Sequence, residues 1–216
     1  MSSDPHAGGT VLHAGALLAE ARGVVILLHG RGATAEDILS VSDAMEAPSL
    51  AYLAPQAAGY AWYPNSFLAD RESNEPYLTS ALKKVESVVE IALAAGFTRD
   101  QILIGGFSQG ACLSTEFVAT HPARYAGMIA WTGGLIGPLG SEVSHSGDLA
   151  GTPALLLSGD PDPHVPWSRV EESARVLTSM GADVTMKRYP GKPHSVSADE
   201  VVLARALVAK AYTKTH

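Results

Sequence analysis

One cysteine, Cys112, stands among the 216 residues. That scarcity excludes an intrachain disulfide and any cysteine-based metal cluster, and it suits a reducing compartment. Long apolar runs are missing too. The longest are strand-sized, far below the ~20 residues that cross a bilayer. The opening MSSDPHAGGTVLHAG has no basic region leading into an apolar stretch, so no secretory signal is read there. No block of Lys and Arg stands out and the net charge is −7, which argues against nucleic acid as a partner. Internal repeats and low-complexity tracts are likewise lacking. What is present is a chain 46 % hydrophobic and 17 % charged, which suits one well-cored globular domain. The expectation is a single cytoplasmic domain over residues 1–216, without stable membrane insertion. Its first 22 residues are read as an added strand or hairpin.

Short apolar, β-branched runs at 24–28, 51–54, 102–104, 128–131, 154–157 and 184–188 read as strands. Helical spacing runs through 78–95, where Leu78, Ala81, Leu82, Val85, Val88, Val89, Ala92 and Leu93 recur and Gly96 stops the pattern. Thr34 with Asp37, and Ser197 with Glu200, match the pattern of a capping box. The segment 167–180 closes on Gly181 in the same way as the earlier helix. Strands alternating with helices predict an α/β fold with a mostly parallel sheet covered on both faces. Ligands in such folds lie beyond the carboxyl ends of the strands. Two irregular stretches remain, 56–76 with Trp62, Tyr63 and Phe67, and 133–152, rich in Gly and Ser.

Gly106-Phe107-Ser108-Gln109-Gly110 matches G-x-S-x-G. The pattern alone is weak, because a glycine-rich turn satisfies it. Its context is specific: QILIG reads as a strand before it and ACLSTEFVATH as a helix after it, which is the setting of a serine held outward on a tight turn. A serine hydroxyl needs a base, and the base an orienting group. In a parallel α/β fold of this kind these follow in the order Ser, Asp or Glu, His. After the run ALLL comes SGDPDPHVP, offering Asp160 and Asp162, between which spacing does not choose. After VTMKRY comes PGKPHSVSADE, which offers His194. Among the other histidines, His164 shares the acid loop and reads as a rim residue, His121 ends a helix, His145 sits in a polar loop, and His6, His13 and His216 lie near the termini. Oxyanion donors are expected from the backbone N–H of Gln109 and from that of Arg31 in LLHGRGATAED. That loop lacks the Lys-Ser/Thr ending of a phosphate-binding loop.

LLHGRGA, GFSQGACLS, GDPDPHVP and YPGKPHS stand in the order and spacing of the phospholipase/carboxylesterase family of α/β-hydrolases, which this chain resembles from about Val24 to its C-terminal helix. The resemblance implies an α/β-hydrolase fold without a large cap, and a triad of Ser108, Asp162 and His194, with Asp162 matching the family's acid. It implies oxyanion donors at Arg31 and Gln109 and no metal or organic cofactor. Trp62 and Tyr63 resemble a family element beside the site. Together with Val165 and Leu135 they are the candidates for substrate contact, with packing of the long loop as the plainer role for the aromatic pair. Arg31 departs from the family, where an apolar or small residue is usual, and would set a cation at the pocket mouth unless its side chain points to solvent. Some dienelactone hydrolases of this architecture use a cysteine, but Ser108 fills the turn here and Cys112 reads as packing.

The expected partner is a small-molecule ester of short or medium acyl length, bound in a shallow groove covered by 56–76 and 133–151. A thioesterase or lysophospholipase acting on long acyl chains is the alternative of the same class. A non-catalytic binding module or a peptidase are the others. Relatives of this kind are often dimers, so a homodimer is admitted by analogy alone.

Overall fold

A computed structural model describes residues 4–140 and 145–213. Seven strands form one sheet: β1 (Val11–Gly15), β2 (Val24–Leu28), β3 (Ala51–Pro55), β4 (Ile102–Phe107), β5 (Gly127–Trp131), β6 (Pro153–Asp160) and β7 (Asp183–Pro190). Six α-helices accompany them: α1 (Ala35–Leu39), α2 (Val41–Ala44), α3 (Tyr77–Ala94), α4 (Gln109–Thr120), α5 (Trp167–Ser179) and α6 (Ala198–Tyr212). The spatial order is β1-β3-β2-β4-β5-β6-β7. Every neighbouring pair is parallel except β1 with β3, where Val11 faces Pro55 and Gly15 faces Ala51.

The central strands are buried along their whole length, and this is why they read as continuous apolar runs rather than alternating ones. Successive side chains still leave opposite faces of the sheet. Val24, Ile26 and Leu28 of β2 join one core with Leu78, Val85 and Val89 of α3, Leu113 and Phe117 of α4, and Val170 and Leu177 of α5. Val25 and Leu27 join a second core with Ile38 of α1 and Ala204 and Val208 of α6. The sheet is thus sandwiched, which fixes its strand ends as a rigid rim.

The helix starts follow the sequence pattern. Thr34 and Asp37 form a reciprocal capping box at α1, as do Ser197 and Glu200 at α6. Observed strands run longer than their apolar runs. β4 continues through Gly105 to Phe107 and β6 through Ser158 and Gly159 to Asp160, because pairing with the neighbour carries the backbone past the last apolar residue. Among the described residues no helix is long and apolar enough to cross a membrane.

Candidate active site

Ser108 stands between the end of β4 and the first residue of α4, with φ 55° and ψ −117°. Such a conformation costs a non-glycine residue ~1–3 kcal/mol and persists only where its surroundings enforce it. Here the Ser108 N–H donates to the Trp131 carbonyl on β5 (2.9 Å), and the Ser108 carbonyl accepts from the Cys112 N–H (3.0 Å). Strand and helix therefore grip the residue from both sides, and its hydroxyl projects above the sheet.

His194 comes from the turn after β7, and its Nε2 lies 2.8 Å from Ser108 Oγ. Its Nδ1 lies 2.8 Å from Asp162 Oδ2. A carboxylate only accepts, so Nδ1 carries the proton and Nε2 presents a lone pair to the serine hydroxyl. Phe107 and His164 flank the His194 ring with centroids 5.0 and 4.9 Å away, which limits its rotation. Asp162 sits in the loop after β6. Burial opposes its ionisation, but the N–H groups of His164 and Val165 (2.9 Å each to Oδ1) and the His194 ring outweigh that and hold its carboxyl below the usual range. Asp160, the other carboxylate of this loop, turns away and pairs with Arg188.

The loop after β2 faces this row. Neither the Arg31 N–H nor the Gln109 N–H donates to another group among the described residues; Gln109 opens α4, where first-turn amides have no helical acceptor. Both are therefore free to receive an oxygen beside Ser108. His29 shapes the loop from below: its Nδ1 donates to the Gly30 carbonyl (2.8 Å) and its Nε2 accepts the Ala57 N–H (3.1 Å). Burial lowers its pKa, in keeping with a neutral ring.

The expected substrate contacts divide. Tyr63 and Val165 line the cleft. Trp62 does not. It is fully buried, its indole N–H donates to the His29 carbonyl (2.9 Å), and it packs on His29 and His6. Leu135, also expected there, is fully buried away from the cleft, its N–H donating to Ser173 Oγ and its carbonyl accepting from the Arg169 guanidinium. Among the described residues the stretch after β5 does not line the groove, and the same ties explain why. Glu116 accepts the Ile136 N–H (3.0 Å) and Arg169 holds the carbonyls of Leu135 and Pro138, drawing residues 133–137 into the core. Residues 141–144 of that expectation, and His216, lie outside the described residues. The Arg31 side chain does not run free into solvent. Nη1 donates to the Pro64 carbonyl (2.8 Å) and Nη2 to the Asn65 carbonyl (2.7 Å), across the cleft edge.

Three contributors carried no sequence signal. The Gln109 side chain clamps the 62–63 backbone, accepting from the Trp62 N–H and donating to the Tyr63 carbonyl (2.8 Å each). His6 is fully buried; its Nδ1 accepts the Ala58 N–H (3.0 Å), so its Nε2 donates to the Trp62 carbonyl (2.9 Å). Glu116, inside α4, takes Arg71 of the 56–76 stretch at 2.5 Å. Each is a lone polar residue whose partner lies tens of positions away.

The resulting cleft has a volume of about 730 Å³ and is walled by Tyr63, Phe67, Leu68, Phe107 and Val165, with Ser108 and His194 opening into it. That is the size of a small-molecule site. Cys112 borders its floor, its thiol pushed up to about 12 by burial and so protonated at neutral pH. Among the described residues no group of three His, Cys, Asp or Glu is placed to hold a metal.

Residues 16–211 match the sequence profile of the phospholipase/carboxylesterase family. A solved phospholipase/carboxylesterase from Dyadobacter fermentans is 42 % identical, with a TM-score of 0.90 over 93 % of this chain and 97 % of that one. The Bacillus cereus carboxylesterase, at 21 % identity and a TM-score of 0.77 over 95 % of each chain, shares the fold. Acyl-protein thioesterase 1 of Schizosaccharomyces pombe is 33 % identical over 144 residues, 64 % of this chain and 63 % of its own. The chain spans about half to two thirds of the length of the curated relatives it matches.

Proposed function

This chain belongs to the phospholipase/carboxylesterase family of α/β-hydrolases, and from that premise we propose that it is a serine carboxylester hydrolase of short- to medium-chain acyl esters. The observation that carries the reading is the continuous relay Asp162–His194–Ser108, with 2.8 Å at each step. Ser108 Oγ attacks the ester carbonyl as its proton passes to His194 Nε2. Asp162 keeps the imidazole in the tautomer that accepts this proton and stabilises the charged ring that forms. The negative charge that develops on the carbonyl oxygen meets the N–H groups of Arg31 and Gln109. His194 then gives its proton to the departing alcohol, leaving an acyl group on Ser108. A water molecule, deprotonated by the same imidazole, releases the acid and restores the serine.

The chain-length preference is supported by the walls. Tyr63, Phe67, Leu68 and Val165 offer apolar contact close to Ser108, and each buried methylene contributes about 0.8 kcal/mol. Among the described residues no cap domain extends these walls, so methylenes beyond them stay in water and add nothing. Rates of hydrolysis across a graded series of acyl esters, with matched thioesters, test this. The expected result is a rise over the first few carbons followed by a plateau or fall. Rates climbing steadily to palmitoyl substrates, with thioesters preferred, would replace this reading with a long-chain thioesterase.

A further inference from the structure

Among the described residues the Arg31 guanidinium binds no acidic group. Its two hydrogen bonds go to the carbonyls of Pro64 and Asn65, both neutral acceptors. Among the described residues no carboxylate lies within ion-pair distance of it; Arg22, Arg124 and Arg175 lack one too, but of these four only Arg31 lines the cleft of Ser108 and His194. A guanidinium has five N–H donors, so three remain for a ligand. Arg31 borders the same cleft as Ser108 and His194. The one carboxylate in that lining, Asp162, does not pair with Arg31: its oxygens are engaged by His194, His164 and Val165, and its side chain is fully buried. Arg31 is therefore the one Lys or Arg lining the cleft among the described residues, and it holds no carboxylate.

We propose that this cleft selects esters that also bear a carboxylate, with the Arg31 guanidinium as the receptor for that group. The proposal rests on the ester-hydrolase reading and names its substrate class. A carboxylate is planar and accepts two parallel N–H bonds, the geometry that a guanidinium fork offers. The carbonyls of Pro64 and Asn65 already hold the fork in place, so little side-chain freedom is lost when a ligand binds. Arg31 thus acts twice, through its backbone N–H on the reacting carbonyl and through its side chain on the distant acid. The two functions sit on one residue, which sets the spacing between ester and carboxylate at a few bonds.

The test compares matched pairs that differ only in charge. Nitrophenyl hemiglutarate against its methyl-capped diester places the acid on the acyl side. Acetoxybenzoate against its methyl ester places it on the leaving group. The expected result is a kcat/KM ratio favouring the charged member of one pair by about tenfold at low salt, falling towards one in Arg31→Met and largely kept in Arg31→Lys. Because both members of a pair use the same loop, loss of the Pro64 and Asn65 contacts lowers both rates and leaves their ratio untouched. Binding of the same compounds to a Ser108→Ala protein, with and without Arg31→Met, reads the preference independently of turnover. A ratio near one in the unaltered protein for both pairs, or a preference that survives Arg31→Met in turnover and in binding, would overturn the proposal. Hydrolysis of neutral esters alone would leave the hydrolase reading standing and remove this one; charge-selective binding without any turnover would overturn the hydrolase reading, and this one with it, leaving Arg31 as a carboxylate-binding residue only.

Discussion

Replacing Gly110 with alanine should damage this protein more than any helix propensity scale suggests. Gly110 lies in the first turn of α4, where alanine is intrinsically preferred by about 1 kcal/mol. A Cβ there would sit 2.0 Å from the Leu28 carbonyl oxygen, 2.5 Å from the Leu28 carbonyl carbon and 2.6 Å from the His29 oxygen. Ordinary contact begins at 3.4 Å, so α4 and the end of β2 must part by about an ångström or more. The obstacle is backbone on both sides and no side chain can swing away. Overpacking of this kind costs ~1–3 kcal/mol even where side chains relax; against rigid backbone the upper end applies, leaving a net loss of ~2 kcal/mol after the propensity gain. For a chain of this length that lowers Tm by roughly 4–8 °C. The same displacement moves Ser108 and Gln109 away from Arg31, and a 1 Å misplacement costs on the order of 10²-fold in rate. Thermal melts and ester kinetics of Gly110→Ala should show both effects, while Gly8→Ala, whose Cβ meets nothing within 4 Å, should show neither. A Gly110→Ala protein with unchanged Tm and kcat would refute the claim that this close approach sets the site's geometry.

Asp162→Asn should lower kcat by about 10⁴-fold with little change in KM, since an amide no longer enforces the imidazole tautomer. Its acid unfolding should change as well. The Asp162 carboxyl is held below its usual range, so its contribution is full above the unfolded value near 3.9 and is lost as pH falls through the lower folded value. Urea melts should therefore show a shallower acid decline in the asparagine variant, and an identical decline would contradict this. Native protein should resist iodoacetamide at neutral pH, because the Cys112 thiol is pushed up to about 12. Stoichiometric labelling before unfolding, read by mass, would show otherwise. Arg71→Met should destabilise the protein by about 1–2 kcal/mol, a figure reduced for the partial exposure of Arg71, and should raise KM by loosening the stretch that carries Tyr63, Phe67 and Leu68. Unchanged KM would separate the Arg71–Glu116 pair from the cleft wall.

Much of this site was legible because its parts follow strand ends in chain order. Ser108 follows β4, Asp162 follows β6 and His194 follows β7, and each loop carries the residue type its chemistry needs. The sheet was legible where burial makes continuous apolar runs, as in 24–28. It was less so at the ends, where Gly105, Gly106, Ser158 and Gly159 are strand by pairing alone. β1 carries a histidine and a glycine in five residues, and its edge is read only once β3 lies beside it. Trp62 and Leu135 show a different limit. An aromatic beside a motif and a leucine in a loop look alike whether they face a ligand or the core. Here the Trp62 indole is bound to His29 and Leu135 is tied to Ser173 and Arg169, contacts between segments more than thirty residues apart. The Gln109 side chain, too, gave no sign that it clamps 62–63 as well as opening α4.

The central claim is that Ser108 is the nucleophile and His194 its activating base. Intact-mass measurement after exposure to a fluorophosphonate tests it most directly, because the reagent traps an activated serine as a stable covalent adduct. The expected result is a single adduct on the peptide containing Ser108, no adduct in Ser108→Ala, and strongly slowed labelling in His194→Ala. An adduct that persists in Ser108→Ala, or labelling at an undiminished rate without His194, would contradict it.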